Sequence, residues 1–232
     1  MTIDEIKTLL RKKAIIYHSE GGKSLGETGE SWIGSVRWKQ AGEGFPVDRT
    51  GETMIPLATF FLDGLPYRPK ALSGIGLVTV FMSTAIWENL GEEDLSPWFV
   101  IRAYTSITEL VPCKYSSSII RAFPLRPELV ENDFPEWDGG GIPEELESRI
   151  VAMEDAKGIE YYEDIHEGGY AFHKIGGYPS FCQSGFLFGG GYDFVMQIVS
   201  DDKAGLNIVD AGNFYFYYHS GKKGWRVYCD FY

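Results

Sequence analysis

The sequence predicts a single α+β domain, residues 1–232, made mainly of antiparallel strands in two pseudo-repeated halves, with an N-terminal helix and an acidic helical insertion. Three observations carry this expectation. Aromatic residues make up 15 % of the chain, beside 28 Gly and 11 Pro, a mix that favours strands and turns over helices. Three pairs of segments echo one another in the same order along the chain. The whole net charge of -12 sits in one stretch.

The echo places Trp32-Ile33-Gly34-Ser35-Val36 against Lys174-Ile175-Gly176-Gly177-Tyr178, Leu57 to Asp63 against Val195 to Asp201, and Gly76 to Ser83 against Gly212 to His219. The separations are 142, 138 and 136 residues, so order is kept and only the loops shorten. Each half reads as a Gly-rich turn followed by two strands. Such a half cannot bury both its faces alone, so the two are expected to share one core. The boundaries follow: a first half at about 18–125, the insertion at 126–167 and a second half at 168–232. From Tyr104 to Phe123 the pattern is strand-like but broken, and Pro112, Pro124, Pro127 and Pro135 are expected to mark turns.

Two helices are punctuated by the sequence. Thr2 can cap the first, with Glu5 three residues on as in a capping box, and Ile3, Ile6 and Leu10 fall on one face. Arg11, Lys12 and Lys13 then suit its C-terminal dipole. The second follows Ile142: Pro143 fits the first helical position, Glu144, Glu145 and Glu147 fill the first turn, and Gly158 stops it. Leu146, Ile150 and Met153 form its apolar stripe. The aromatic run Phe214 to Tyr218 suits a strand covered on both faces.

Composition excludes several functions. No apolar run approaches the ~18–20 residues of a membrane helix. The N-terminal residues lack the apolar stretch of a signal peptide, and Cys113, Cys182 and Cys229 are too few and too scattered for a disulfide framework or a CxxC zinc site. A reducing cytoplasm is the expected setting. Net negative charge makes nucleic acid and anionic membrane poor partners.

Candidate chemistry is sparse. Cys182 follows His173 by nine residues but stands beside Phe181, where packing is the commoner role. Glu163-Asp164-Ile165-His166-Glu167, with His173 beyond, offers ligand atoms without any metal-site spacing. The triplets Gly139-Gly140-Gly141 and Gly189-Gly190-Gly191 lack a phosphate-loop ending and read as turns. Trp87, Trp98 and Trp137 stand in polar surroundings where a sugar platform is conceivable. No catalytic residue, metal or cofactor is expected.

The acidic stretch is more informative. From Glu128 to Glu167, fourteen acids face only Arg149 and Lys157, so the rest of the chain is neutral. Such a block either solvates a face or attracts a basic partner and speeds its association. Phe134-Pro135-Glu136-Trp137-Asp138 adds an aromatic anchor among carboxylates, a form common at binding hot spots. The candidate contacts are Glu131, Asp133, Glu136, Trp137 and Asp138, then Glu144, Glu145 and Glu147.

The second half resembles the YwqG-like family of bacterial proteins, built on a domain of unknown function. The matching pieces are Lys174-Ile175-Gly176-Gly177-Tyr178-Pro179 with Gln183, then Gln197 to Asp202, then Asp210-Ala211-Gly212 leading into Phe214-Tyr215-Phe216. The resemblance implies a cytosolic, β-rich bacterial protein with no assigned catalytic residues, of a type found beside polymorphic toxins. The expected function is therefore that of an immunity protein, which covers the active site of a cognate toxin, a basic nuclease, with an acidic surface. The alternative is a small-molecule or carbohydrate-binding protein, or an enzyme, using loops that carry Asp201, Asp202 and Asp210.

Overall fold

The computed structural model describes residues 1–19, 24–26 and 29–232. In chain order the strands are β1 (Lys12–His18), β2 (Ser31–Ile33), β3 (Ser35–Gln40), β4 (Ile55–Phe61), β5 (Leu77–Met82) and β6 (Phe99–Tyr104). There follow β7 (Leu110–Ser116), β8 (Phe123–Asp133), β9 (His173–Gly176), β10 (Asp193–Val199), β11 (Asn213–His219) and β12 (Gly224–Asp230). Two α-helices, α1 (Ile3–Leu10) and α2 (Glu144–Lys157), complete the main elements. The fold is mostly antiparallel β with few helices.

Ten strands form one antiparallel sheet in the order β12-β11-β10-β9-β1-β8-β2-β4-β5-β6. Counted outward from the central β1–β8 pair, each side holds four strands in chain order. The sheet curls until its ends nearly meet. Phe99 of β6 packs edge-on against Phe214 and Phe216 of β11, with ring centroids 5.2 and 5.4 Å apart. Leu95 N, just before β6, donates to Val227 O of β12 at 2.7 Å. The enclosed core draws on Ile15, Phe60, Val80, Ile175, Ile198 and Phe216, from strands of both sides.

Alternation along β11 decides which residues enter that core. Phe214 and Phe216 point inward, while Tyr215 and Tyr217 turn out under a cover formed by residues 181–194. Their hydroxyls donate to Ser180 O and Phe186 O, both at 2.7 Å, so the polar ends of two buried rings are satisfied. On the opposite side a separate ribbon, β3 with β7, packs Val36 and Tyr115 over Phe81 of β5.

Helix α1 has the expected capping box: Thr2 N donates to Glu5 Oε2 at 2.7 Å and Glu5 N to Thr2 Oγ1 at 3.3 Å. Helix α2 begins at Glu144, one position later than expected, with Pro143 as its cap residue rather than its first helical residue, and ends on Gly158 in the left-handed region. Ile6 and Leu10 of α1 meet Leu146, Ile150 and Met153 of α2 in a second, smaller core.

Three expectations need correction. Lys12 and Lys13 belong to β1 rather than to the helix end. Residues 126–133 are not insertion: they form most of the central strand β8, and the segment outside the sheet starts at Phe134. Pro112, Pro124 and Pro127 lie within strands, not turns. Pro112 sits in the two-stranded ribbon, opposite a register shift between Val36 and Trp38. In β8, residues 123–125 pair with β2 and the remainder with β1, so each proline has a side on which no ladder bond is required of it.

Candidate functional site: an acidic helical face

The segment that leaves β8 folds over α1 and carries a dense group of unpaired acids. Phe134, Ile142, Tyr161 and Ile165 anchor it in the small core, and the stripe of α2 faces the same way. That burial fixes what remains outside. Glu144, Glu145 and Glu147 in the first turn of α2 are exposed, as are Asp138, Asp155, Glu160, Glu163 and Asp164. Among the described residues none of these eight takes part in an ion pair. Acids in the first turn also suit the helix dipole, so they stabilise α2 as well as charge its face.

The other candidate contacts are used differently. Glu131 is exposed on β8 and pairs with Lys13 at 2.7 Å. Glu136 is half-buried, accepting from the Tyr162 hydroxyl at 3.3 Å and lying 4.0 Å from His166 Nε2. Trp137 is half-buried with its ring 5.1 Å from Tyr161, so it helps anchor the segment. Asp133 is no surface contact at all. It is 0 % exposed, at the end of β8, where Lys174 Nζ and Tyr178 N donate to its Oδ2 at 3.0 and 2.7 Å. Burial pulls this pair toward its neutral forms, raising Asp133 and lowering Lys174, against their mutual attraction.

The same pair explains the Lys-Ile-Gly-Gly-Tyr segment. Gly176 and Gly177 have φ of +77° and +68°, and a Cβ on Gly177 would stand 1.9 Å from Asp133 Oδ2. Only glycine lets the chain pass that carboxylate.

Of the aspartates of the alternative site, Asp201 and Asp202 border one cavity of about 370 Å³ beside His173, and Asp210 stands apart from it. Asp201 turns inward: its Oδ2 is 3.2 Å from His173 Nε2 and its Oδ1 accepts from Ala204 N at 2.9 Å. His173 Nδ1 accepts from Val199 N, which places the ring proton on Nε2, facing Asp201. Burial alone would raise Asp201, but the hydrogen bonds from His173, Ser19 and Ala204 N hold it below the usual carboxylate range. Asp202 lines an adjoining cavity of about 320 Å³ with Glu136, Ser180, Ser200 and Asn213. Ser180 and Asn213 are already engaged there: Asn213 Nδ2 donates to Ser180 O and the Ser180 hydroxyl to Tyr170 O. Asp210 is exposed and lines no part of this cavity.

The remaining candidates separate. Cys182 sits beside Asp230 and Tyr215, not His173, and burial with the Asp230 charge pushes its thiol up to about 12. A thiol held protonated in this way is a poor nucleophile near neutral pH. His166 lies among aromatic rings and His173 on Asp201; no group of three or more metal-ligating side chains is found among the described residues. Trp98 is buried under Arg49 while Trp87 is exposed, so the tryptophans make no platform. Gly189, Gly190 and Gly191 all have positive φ and turn the chain into β10. Among the described residues no helix is long and apolar enough to cross a membrane.

Fold and site together define a curled, mainly antiparallel β protein whose charge is displayed on a helical appendage rather than in a pocket. Residues 37–222 match the family described as a domain of unknown function (DUF1963), and the chain belongs to that family. The match begins after β2 and ends before β12, so the strands that complete the sheet lie outside it. No curated protein matches the chain.

Proposed function

We propose that the chain is a non-catalytic binding protein of the YwqG-like group: a cytoplasmic bacterial immunity protein that neutralises a cognate toxin. Its target is a basic nuclease whose phosphate-binding cleft is occluded by the acidic face of α2 and the segment before it. One observation carries this reading. Asp138, Glu144, Glu145 and Glu147 are exposed together, and among the described residues no base pairs with them. A carboxylate array of this kind attracts the basic groove with which a nuclease grips phosphates, and steers it from a distance.

The mirror order of the sheet supports a second element of the reading, that the two sides descend from one duplicated unit. Strands β2, β4, β5 and β6 and strands β9, β10, β11 and β12 stand in corresponding places about β1–β8. The echoed segments lie in β2 and β9, β4 and β10, and β5 and β11. The acidic appendage has no counterpart in the echo and falls between the two units.

The experiment is capture of partners from native cells with the tagged full chain, washed at low and high salt. A stoichiometric basic protein, held at low salt and weakened at high salt, is expected. Glu144→Gln, Glu145→Gln and Glu147→Gln combined should slow its association and flatten the salt dependence. Equal capture by the triple variant at every salt concentration contradicts the reading.

A further inference from the structure

A groove of about 660 Å³ opens where α2 ends, between the helix and the segment that follows it. Its floor and walls are Trp137, Tyr161, Tyr162 and Val151, with Glu154, Asp155 and Glu160 around the rim. Tyr162 is 51 % exposed and Val151 41 %, so apolar surface lies open within a charged border.

Local structure holds the rings in place. Gly158, at φ +66°, ends α2, and a single π-helical turn, Tyr161–Ile165, follows. Tyr161 and Tyr162 pack edge to face with centroids 5.2 Å apart, and the Trp137 ring stands 5.1 Å from Tyr161. The Tyr162 hydroxyl accepts from Trp137 N at 3.0 Å and donates to Glu136 Oε2. The exposed ring is therefore pinned before any partner arrives, which lowers the entropic cost of contact.

Three physical terms at this groove favour a cation. The faces of Tyr162 and Trp137 attract positive charge. Asp155 and Glu160 form no ion pair among the described residues. The C-terminal end of α2 carries the negative end of the helix dipole, where acids are unfavourable and a cation relieves them. Lys157 is the one base of that last turn. A guanidinium suits the site better than an ammonium, since its plane stacks on a ring while its edge donates two hydrogen bonds to a carboxylate.

We propose that this groove seats an arginine side chain of the protein partner, as the specific anchor within the broader acidic face. The inference rests on the binding reading above and names the residue chemistry by which the partner is recognised.

The test uses the full chain and three capped peptides, acetyl-Gly-X-Gly-amide with X arginine, lysine or citrulline. The readout is the indole N–H resonance of Trp137, assigned with Trp137→Phe. The arginine peptide should shift it saturably, at least about fivefold more tightly than the lysine peptide, and citrulline, which keeps the shape and loses the charge, should bind no better than lysine. Asp155→Asn, exposed and outside the small core, should weaken the arginine peptide with unchanged thermal unfolding, and Tyr162→Leu should weaken it more, at some cost in stability because the Tyr162 hydroxyl holds Trp137 N. An arginine peptide that leaves Trp137 unmoved, or equal binding of all three peptides, overturns the groove even if the chain still captures a basic protein. Groove binding without any basic protein captured supports the groove and overturns the immunity reading instead.

Discussion

Lys174 Nζ lies 3.0 Å from Asp133 Oδ2 with the two side chains 1 % and 0 % exposed, a buried ion pair that ties β9 to the end of β8. Ser180 also accepts from Lys174, at 3.2 Å, and Tyr178 N completes the carboxylate's shell. Removing one partner strands a charge, so Lys174→Met is expected to cost about 3–5 kcal/mol. Adding Asp133→Asn should cost clearly less than the sum of the two single changes. Urea unfolding of all four chains measures the coupling, and strict additivity would show that the pair does not act as a unit.

Gly177→Ala makes an independent claim on the same contact. Its φ of +68° disfavours any side chain, and the added Cβ meets Asp133 directly. A loss of more than about 2 kcal/mol is expected from strain and displacement combined. The same change at Gly158, also at positive φ but with open space around it, should cost less, by thermal or urea unfolding.

Acid should find Asp201. Its folded pKa is depressed below the unfolded value, so its contribution is present above about pH 4 and is lost as pH falls through the folded value. Asp201→Asn should therefore lower stability at pH 7 and flatten the decline between about pH 4 and pH 2. If wild type and variant lose stability in parallel over that range, the His173–Asp201 contact is not a source of the pH dependence.

The thiols give a chemical test of the site assignment. Cys182 and Cys229 are both pushed up to about 12, chiefly by burial and then by Asp230. In the native protein at pH 8, Cys182 should react with a disulfide reagent on the order of a thousandfold more slowly than a free cysteine, and at the normal rate in denaturant. Fast native labelling of Cys182 would reopen the case for a nucleophile.

Much of the local structure is legible in the sequence, and the long-range pairing is not. The Thr2–Glu5 capping box and the inside-outside alternation from Phe214 to Tyr217 depend on neighbours within a few residues, and both can be read directly. Strand β1 is hidden because Lys12 and Lys13 suit a helix end as well as a strand start. Strand β8 is hidden by Pro124 and Pro127, which are tolerated only because its two ends pair with different partners. Asp133 reads as one more acid in a charged run. Its partner Lys174 is 41 residues on, and nothing local marks the pair except the two glycines that make room for it.

The acidic face itself is visible as charge, yet its division is not. The structure buries Asp133, pairs Glu131 and leaves Glu144, Glu145 and Glu147 open. The groove of Trp137, Tyr161 and Tyr162 was beyond sequence reading, because a π-helical turn brings those rings together. A Tyr-Tyr pair directly after a helix-ending glycine is the signal that points there.

Because Glu144, Glu145 and Glu147 also complement the dipole of α2, replacing all three with Gln should lower stability by only about 1–2 kcal/mol. Thermal unfolding separates that small loss from the larger loss of binding. A variant that fails to fold would show instead that these acids serve the helix alone.

Neutralisation is read out by the nuclease activity of the captured basic partner, titrated with the full chain. Activity should end at one equivalent of the wild-type chain, and the triple Gln variant should need a clear excess at the same ionic strength. Activity that persists in the stoichiometric complex, or a captured partner without nuclease activity, would contradict neutralisation.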